Sequence, residues 1–205
     1  MKKGIWKIII SLLLMGVVVT GCGSSNDEKN EMGLSGEGQT QAEEKNTAGG
    51  TESTTEAEPY VLQFTGTTLS GDTLTSECFA DSKLTMINVW ATFCGPCINE
   101  MPDLGELAAE YDTEDFQLIG IISDVIEGTE GDTFVEAQEI IAETGADYTH
   151  LLLNEELYRN LVGASDSVPT TYFFNQKGEY LGYLVGAQSK EVWKQIIDGL
   201  LAEME

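Results

Sequence analysis

The chain has 205 residues, with 35 Asp and Glu against 10 Lys and Arg, for a formal net charge of -25. So large an acidic excess excludes a protein that grips nucleic acid, because phosphate neutralisation needs a basic face, and it excludes binding to anionic lipid by charge alone. Its 41% hydrophobic content fits a folded domain, and four cysteines are too few for a disulfide scaffold, so core packing must hold the fold.

Residues 1–21 join a basic start (Lys2, Lys3, Lys7) to an apolar run from Ile8 to Val19 and then to small residues. That is the pattern of a secretory signal, and the run is shorter than the roughly 20 residues of a membrane span. Val19-Thr20-Gly21-Cys22 resembles a bacterial lipobox, which implies that Cys22 carries lipid and becomes the mature N-terminus. Two acyl chains would anchor it stably where one would not. Residues 22–59 are rich in Gly, Ser, Thr, Asn and Glu, with nine acidic residues and two lysines. Such a segment cannot bury a core, and it reads as a disordered acidic tether spanning roughly 30–36 Å. Residues 60–205 form the folded domain and keep 26 acidic and five basic residues.

Within the domain, residues 60–65 read as a strand, followed by hairpin punctuation at Ser70-Gly71-Asp72 and a helical turn over 76–80. Residues 84–90 are mostly apolar and β-prone, the pattern of a strand buried on both faces. The spacing of Ile98, Met101, Leu104, Leu107 and Tyr111 predicts a helix over 96–111, with Pro102 as a kink point. A second buried strand is predicted over 116–122, an amphipathic helix over 133–144 closed by Gly145, a strand over 150–153 and a helix over 155–162. Residues 170–174 and 180–185 pair across Asn175-Gln176-Lys177-Gly178, and Ser189 caps a final helix. Strands alternating with helices, then a hairpin and a closing helix, predict an α/β fold with a central mixed sheet flanked by helices.

Cys94-Gly95-Pro96-Cys97 falls between the strand at 84–90 and the helix after it. A C-x-x-C in that context reads as a redox pair. The helix N-terminus stabilises a thiolate at the first cysteine, and the second lies one turn on, close enough to close the disulfide. Cys94 is thus the exposed nucleophile and Cys97 the buried resolving thiol. A zinc site would need two further ligands, and only Cys78 and His150 remain, so no metal is expected. A structural disulfide is a poor alternative, since a four-residue loop staples almost nothing.

Trp90-Ala91-Thr92-Phe93-Cys94-Gly95-Pro96-Cys97 resembles the active-site segment of thioredoxins, with Phe93 in place of a second Trp, and Val168-Pro169-Thr170-Thr171 resembles their cis-proline loop. The resemblance implies a thioredoxin-like fold with an N-terminal β-hairpin and an αβ insertion. It also implies a substrate surface drawn from Trp90, Gly95, Pro96, Val168, Pro169 and Thr170, where the backbone before the proline pairs with a bound strand. Asn88 in place of a buried aspartate, Glu100-Met101-Pro102 after the second cysteine, and the segment 122–145 resemble the TlpA/ResA branch of membrane-anchored oxidoreductases. Glu100, three residues after Cys97, is the candidate for tuning a thiol or relaying its proton. Cys78 is expected to be a buried, inert thiol, and His150 structural.

The function implied is extracytoplasmic thiol–disulfide exchange, most simply reduction of protein disulfides. No cofactor is needed beyond the Cys94–Cys97 pair. The implied partners are a membrane thiol transporter as electron donor and protein disulfides as substrates, apocytochrome c among them. Two alternatives stay open on the same residues. One is a thiol peroxidase, although Ala91 stands where peroxidases place a Thr and Arg159 is the chain's only arginine. The other is a disulfide-installing oxidase.

Overall fold

The structure, a computed structural model, describes residues 59–129 and 131–204. The signal, Cys22 and the tether therefore lie outside the described residues. A small antiparallel hairpin, β1 (Thr65–Thr67) and β2 (Thr73–Thr75), precedes a five-stranded sheet of order β5-β4-β3-β6-β7. The predicted strand over 60–65 is displaced: those residues hold only a single bridge, Val61 to Glu179, before β1 begins. Leu62 and Phe64 point into the core there, which ties the entry segment down without a ladder.

β3 (Leu84–Trp90) is the central strand and is buried throughout, as a run apolar on both faces requires. It pairs parallel with β4 (Phe116–Ile126) and antiparallel with β6 (Thr170–Asn175); β5 (Thr149–Leu153) and β7 (Tyr180–Val185) form the edges. α1 (Gly95–Glu110) joins β3 to β4 and runs on through Pro102, and α2 (Asp132–Thr144) joins β4 to β5. Gly145 ends α2 in the left-handed region, with its amide returned to Ile141 O. α3 (Glu155–Asn160) is shorter than expected and passes into a 3-10 turn, while α4 (Lys190–Ala202) closes the chain.

Alternation along the strands sorts the core. Ile87, Val89, Ile119, Ile121, Tyr172 and Phe174 face the hairpin side and α3. Leu84, Met86, Trp90, Phe116, Leu118 and Phe173 face α1, α2 and α4. Gly120 is the exception on that second face: a Cβ there would land on the imidazole of His150, its register partner on β5. The layout is thioredoxin-like, with the expected mixed sheet and N-terminal hairpin. The parallel crossovers through α1 and α2 lie on the β4 side of β3 and the antiparallel β6–β7 pair on the other, and α1 begins just past the C-terminal end of β3.

Candidate active site

Backbone pairing between β3 and β4 stops at Trp90 and Ile122. The chain then turns through Ala91-Thr92-Phe93-Cys94, closed by the Cys94 amide donating to Ala91 O at 3.0 Å. Cys94 is the N-cap of α1, and its Sγ accepts from the Cys97 amide at 3.3 Å. The first turn of α1 holds no acidic side chain, so nothing competes with a thiolate for the positive helix end. Cys94 and Cys97 are joined in a disulfide. Cys97 is fully buried and Cys94 retains 6% exposure, so the nucleophile reaches solvent through a sliver, less openly than expected.

Two side chains at the end of β4 continue the sheet's hold where backbone pairing ends. Ser123 Oγ donates to Trp90 O at 2.9 Å, and the Asp124 carboxylate accepts from Thr92 N at 3.1 Å and Thr92 Oγ1 at 2.7 Å. This clamp sets the position of the turn that presents Cys94. Sequence reading ended β4 at residue 122 and missed both residues; the strand in fact runs to Ile126. Asp124→Ala should slow attack of the reduced protein on a small disulfide about tenfold, because misplacing a nucleophile is costly even when its chemistry is intact. Stopped-flow thiol exchange measures this; an unchanged rate would mean that the clamp does not position Cys94.

Beneath the turn, the buried Trp90 indole donates to His150 Nδ1 at 3.2 Å, and His150 Nε2 lies 2.9 Å from Ala146 O. That arrangement requires the proton on Nε2. Burial pulls the imidazole down to about 4, so His150 is a neutral strut for Trp90.

Glu100 is 3% exposed, not the solvent-facing residue a helix glutamate usually is. Oε1 accepts from Asn88 Nδ2 at 3.2 Å; Oε2 accepts from the Gln188 amide at 3.1 Å and Trp193 Nε1 at 3.3 Å. Burial pushes its carboxyl up to about 7, against the opposing pull of those three donors. Asn88 Nδ2 also donates to Thr171, while Asn88 Oδ1 is buried without a partner. An amide can serve either protonation state of the carboxyl by turning over. The charge-bearing group one turn beyond Cys97 is thus poised to titrate near neutrality.

The Val168–Pro169 bond is cis, and Pro169 O accepts from the Gly186 amide at 2.9 Å. Among the described residues, the backbone N–H and C=O of Val168 make no intramolecular hydrogen bond. Beside them a groove of about 300 Å³ opens, walled by Phe93, Val168, Val162 and Tyr172. Phe93, 77% exposed, stands over the groove and does not fill the core. Gly95 and Pro96 are exposed next to the disulfide. Trp90 and Thr170 are wholly buried, so neither lies on the surface expected to meet substrate. Thr170 Oγ1 instead donates to Ser167 O and holds the proline loop.

Cys78 is free and buried, its thiol pushed up to about 11 mainly by burial. Arg159 pairs with Glu155 on the exposed face of α3. Among the described residues, no cluster of three or more His, Cys, Asp or Glu could hold a metal, and no helix is long and apolar enough to cross a membrane.

A CxxC disulfide at the N-cap of the helix after the central strand, facing a cis-proline loop, defines the site of a thioredoxin-like protein. By its family model, the chain belongs to the AhpC/TSA family, matched over residues 59–179. It is 32% identical over 125 residues to the thiol:disulfide interchange protein HelX of Rhodobacter capsulatus, covering 60% of this chain and 63% of that one. Similarity to the thiol-disulfide oxidoreductase ResA of Oceanobacillus iheyensis is also 32%, over 109 residues and 52% of each chain. The match thus spans only about half to three fifths of these relatives. The crystal structure of a thioredoxin-family thiol:disulfide interchange protein from Chlorobium tepidum superposes with a TM-score of 0.61 at 25% identity, covering 71% of this chain and 99% of that one.

Proposed function

We propose that the protein reduces disulfides in polypeptide substrates outside the cytoplasm, held at a membrane by lipid on Cys22. The observation that carries this reading is the Cys94 sulfur at the N-cap of α1, within a CxxC pair beside the free backbone of Val168. The names of HelX and ResA support it. In the forward direction the Cys94 thiolate attacks one sulfur of a substrate disulfide, forming a mixed disulfide and expelling the first substrate thiolate. Cys97, its proton passed to Glu100, then attacks Cys94 Sγ and releases the second. Two electrons leave the dithiol and the Cys94–Cys97 disulfide forms. An extracytoplasmic dithiol cannot draw on cytoplasmic reductants directly, so a membrane thiol transporter is the proposed donor. Apocytochrome c is the proposed substrate class, since its haem-binding cysteines must be reduced before attachment.

A peroxidase would use the same nucleophile without needing the proline loop. The test is turnover of a protein disulfide and of hydrogen peroxide, with dithiothreitol as reductant. Disulfide turnover that vanishes in Cys94→Ser is expected; peroxide turnover without disulfide turnover would replace this reading.

A further inference from the structure

Glu100 is tied by two hydrogen-bonded paths to the segment that carries Pro169. On one side Oε1 accepts from Asn88 Nδ2, which also donates to Thr171 Oγ1 at 3.0 Å, two residues past the proline. On the other Oε2 accepts from the Gln188 amide at 3.1 Å. Gln188 belongs to the turn between β7 and α4. Its Nε2 donates to Gly186 O at 3.3 Å, and the Gly186 amide donates to Pro169 O at 2.9 Å. The turn is held at both ends: Val185 pairs with Thr170 just before it, and the Lys190 amide donates to Asp103 Oδ2 at 3.1 Å just after it. Gly186 sits at φ 95°, a left-handed backbone that a side chain would strain. A shift at Gln188 therefore has few ways to be absorbed before it reaches Pro169.

Charge decides how firmly these paths hold. Hydrogen bonds to a carboxylate are roughly twice as strong as those to a neutral carboxyl. Glu100 collects three donors, Asn88 Nδ2, the Gln188 amide and Trp193 Nε1, and protonation weakens all of them together. Asn88 can then turn its unpartnered Oδ1 to the new O–H, which changes what Thr171 faces as well. The titratable groups facing Glu100 are Cys97 and Asp103 on α1 and Tyr148 ahead of β5. Asn88, Thr171 and Trp193 are neutral, and the Lys190 amine pairs with Glu106 and Glu110 instead.

We infer that Glu100 is also a positioning residue for the substrate platform: as a carboxylate it holds Pro169 and the free Val168 backbone in place, and as a neutral carboxyl it loosens them. The inference rests on the proposed function and adds the timing of substrate release to it. In the mixed disulfide the Cys97 proton passes to the Glu100 carboxylate, and the Cys97 thiolate attacks Cys94 Sγ. The Cys94–Cys97 bond forms, the bond from Cys94 to the substrate sulfur breaks, and that sulfur leaves as a thiolate. The proton that frees Cys97 thus also slackens the hold on the substrate backbone.

The oxidised full-length protein isolates the effect, because Cys94 and Cys97 are bonded and His150, at about 4, and Cys78, at about 11, do not titrate across neutrality. Amide hydrogen exchange at Gly186, corrected for its intrinsic rate, should show about fivefold less protection at about pH 5.5 than at about pH 8.5. The amides of β3 should change the opposite way, since the fold as a whole gains stability when Glu100 is protonated. A blocked, uncharged peptide with serine in place of its cysteine, titrated by NMR, should bind about fivefold more weakly at the lower pH. Glu100→Gln should lose both dependences and behave throughout like the protonated wild type. Gly186 protection that ignores pH, or a dependence that survives in Glu100→Gln, overturns the coupling and leaves the redox function standing. So does a peptide that binds equally at both pH values. A peptide that binds at neither would instead overturn the polypeptide-substrate reading beneath it.

Discussion

Cys97→Ser should accumulate as a stable mixed disulfide between Cys94 and its substrate, whereas Cys94→Ser should form no adduct and lose turnover altogether. The asymmetry follows from position. Cys94 sits at the N-cap, where the helix end favours its thiolate and a sliver of surface lets a substrate sulfur approach. Cys97 is fully buried one turn later and reaches only Cys94. Replacing Cys97 therefore leaves the attack intact and removes the escape. Neither variant should unfold for lack of a cap. Serine is among the best N-cap residues, so Cys94→Ser keeps an acceptor for the Cys97 amide. Non-reducing electrophoresis of protein recovered from cells that express each variant reads the adducts directly. Adducts on Cys94→Ser in place of Cys97→Ser would reverse the assigned roles.

Glu100→Gln should make the protein more stable at alkaline pH and a poorer catalyst. The folded carboxyl titrates at about 7, against 4.5 for an ordinary glutamate, because burial penalises its charge. The folded state therefore binds more protons than the unfolded chain between those values, and stability falls as pH rises through that window. Above it the penalty is complete, roughly 3 kcal/mol; below about pH 4.5 it is absent. Glutamine removes the charge and still accepts from Gln188 and Trp193 through its oxygen, while its amide nitrogen can donate to the unpartnered Asn88 Oδ1. Denaturant melts of both proteins at about pH 5 and pH 8 should show an advantage for the variant that grows with pH. Resolution of the mixed disulfide should slow on the order of a hundredfold if Glu100 is, as proposed, the group that takes the Cys97 proton. The wild-type rate should have a limb near neutrality that the variant lacks. A stability difference that is equal at both pH values would show that Glu100 is not buried as a titrating carboxyl.

Much of this site lies open in the sequence because it is local. A mostly apolar strand over 84–90, Cys94 four and Cys97 seven residues past its end, and a helix with apolar spacing put the thiols at a helix N-terminus whatever else the chain does. The proline loop is equally visible as Val168-Pro169 before a strand. What lies hidden depends on register. Ser123 and Asp124 look like a polar break after an apolar run, and only the pairing of Trp90 with Ile122 brings them against Trp90 O and Thr92. Glu100 carried a partial signal: it stands among Cys97, Met101, Leu104 and Leu107 on the buried face of α1. The donors that make that burial tolerable, Asn88, Gln188 and Trp193, come from β3, a loop and α4, and no local pattern joins them. Gly120 has the same character, its reason being the imbedded ring of a residue thirty positions away.

The reduction potential of the Cys94–Cys97 pair, measured on the purified protein in thiol redox buffers, tests the central claim most directly. A reductase of substrate disulfides should equilibrate near or below about -270 mV, the thioredoxin range. A value close to about -120 mV would mark a dithiol that gives up its disulfide to substrates, and would contradict the proposed direction of electron flow.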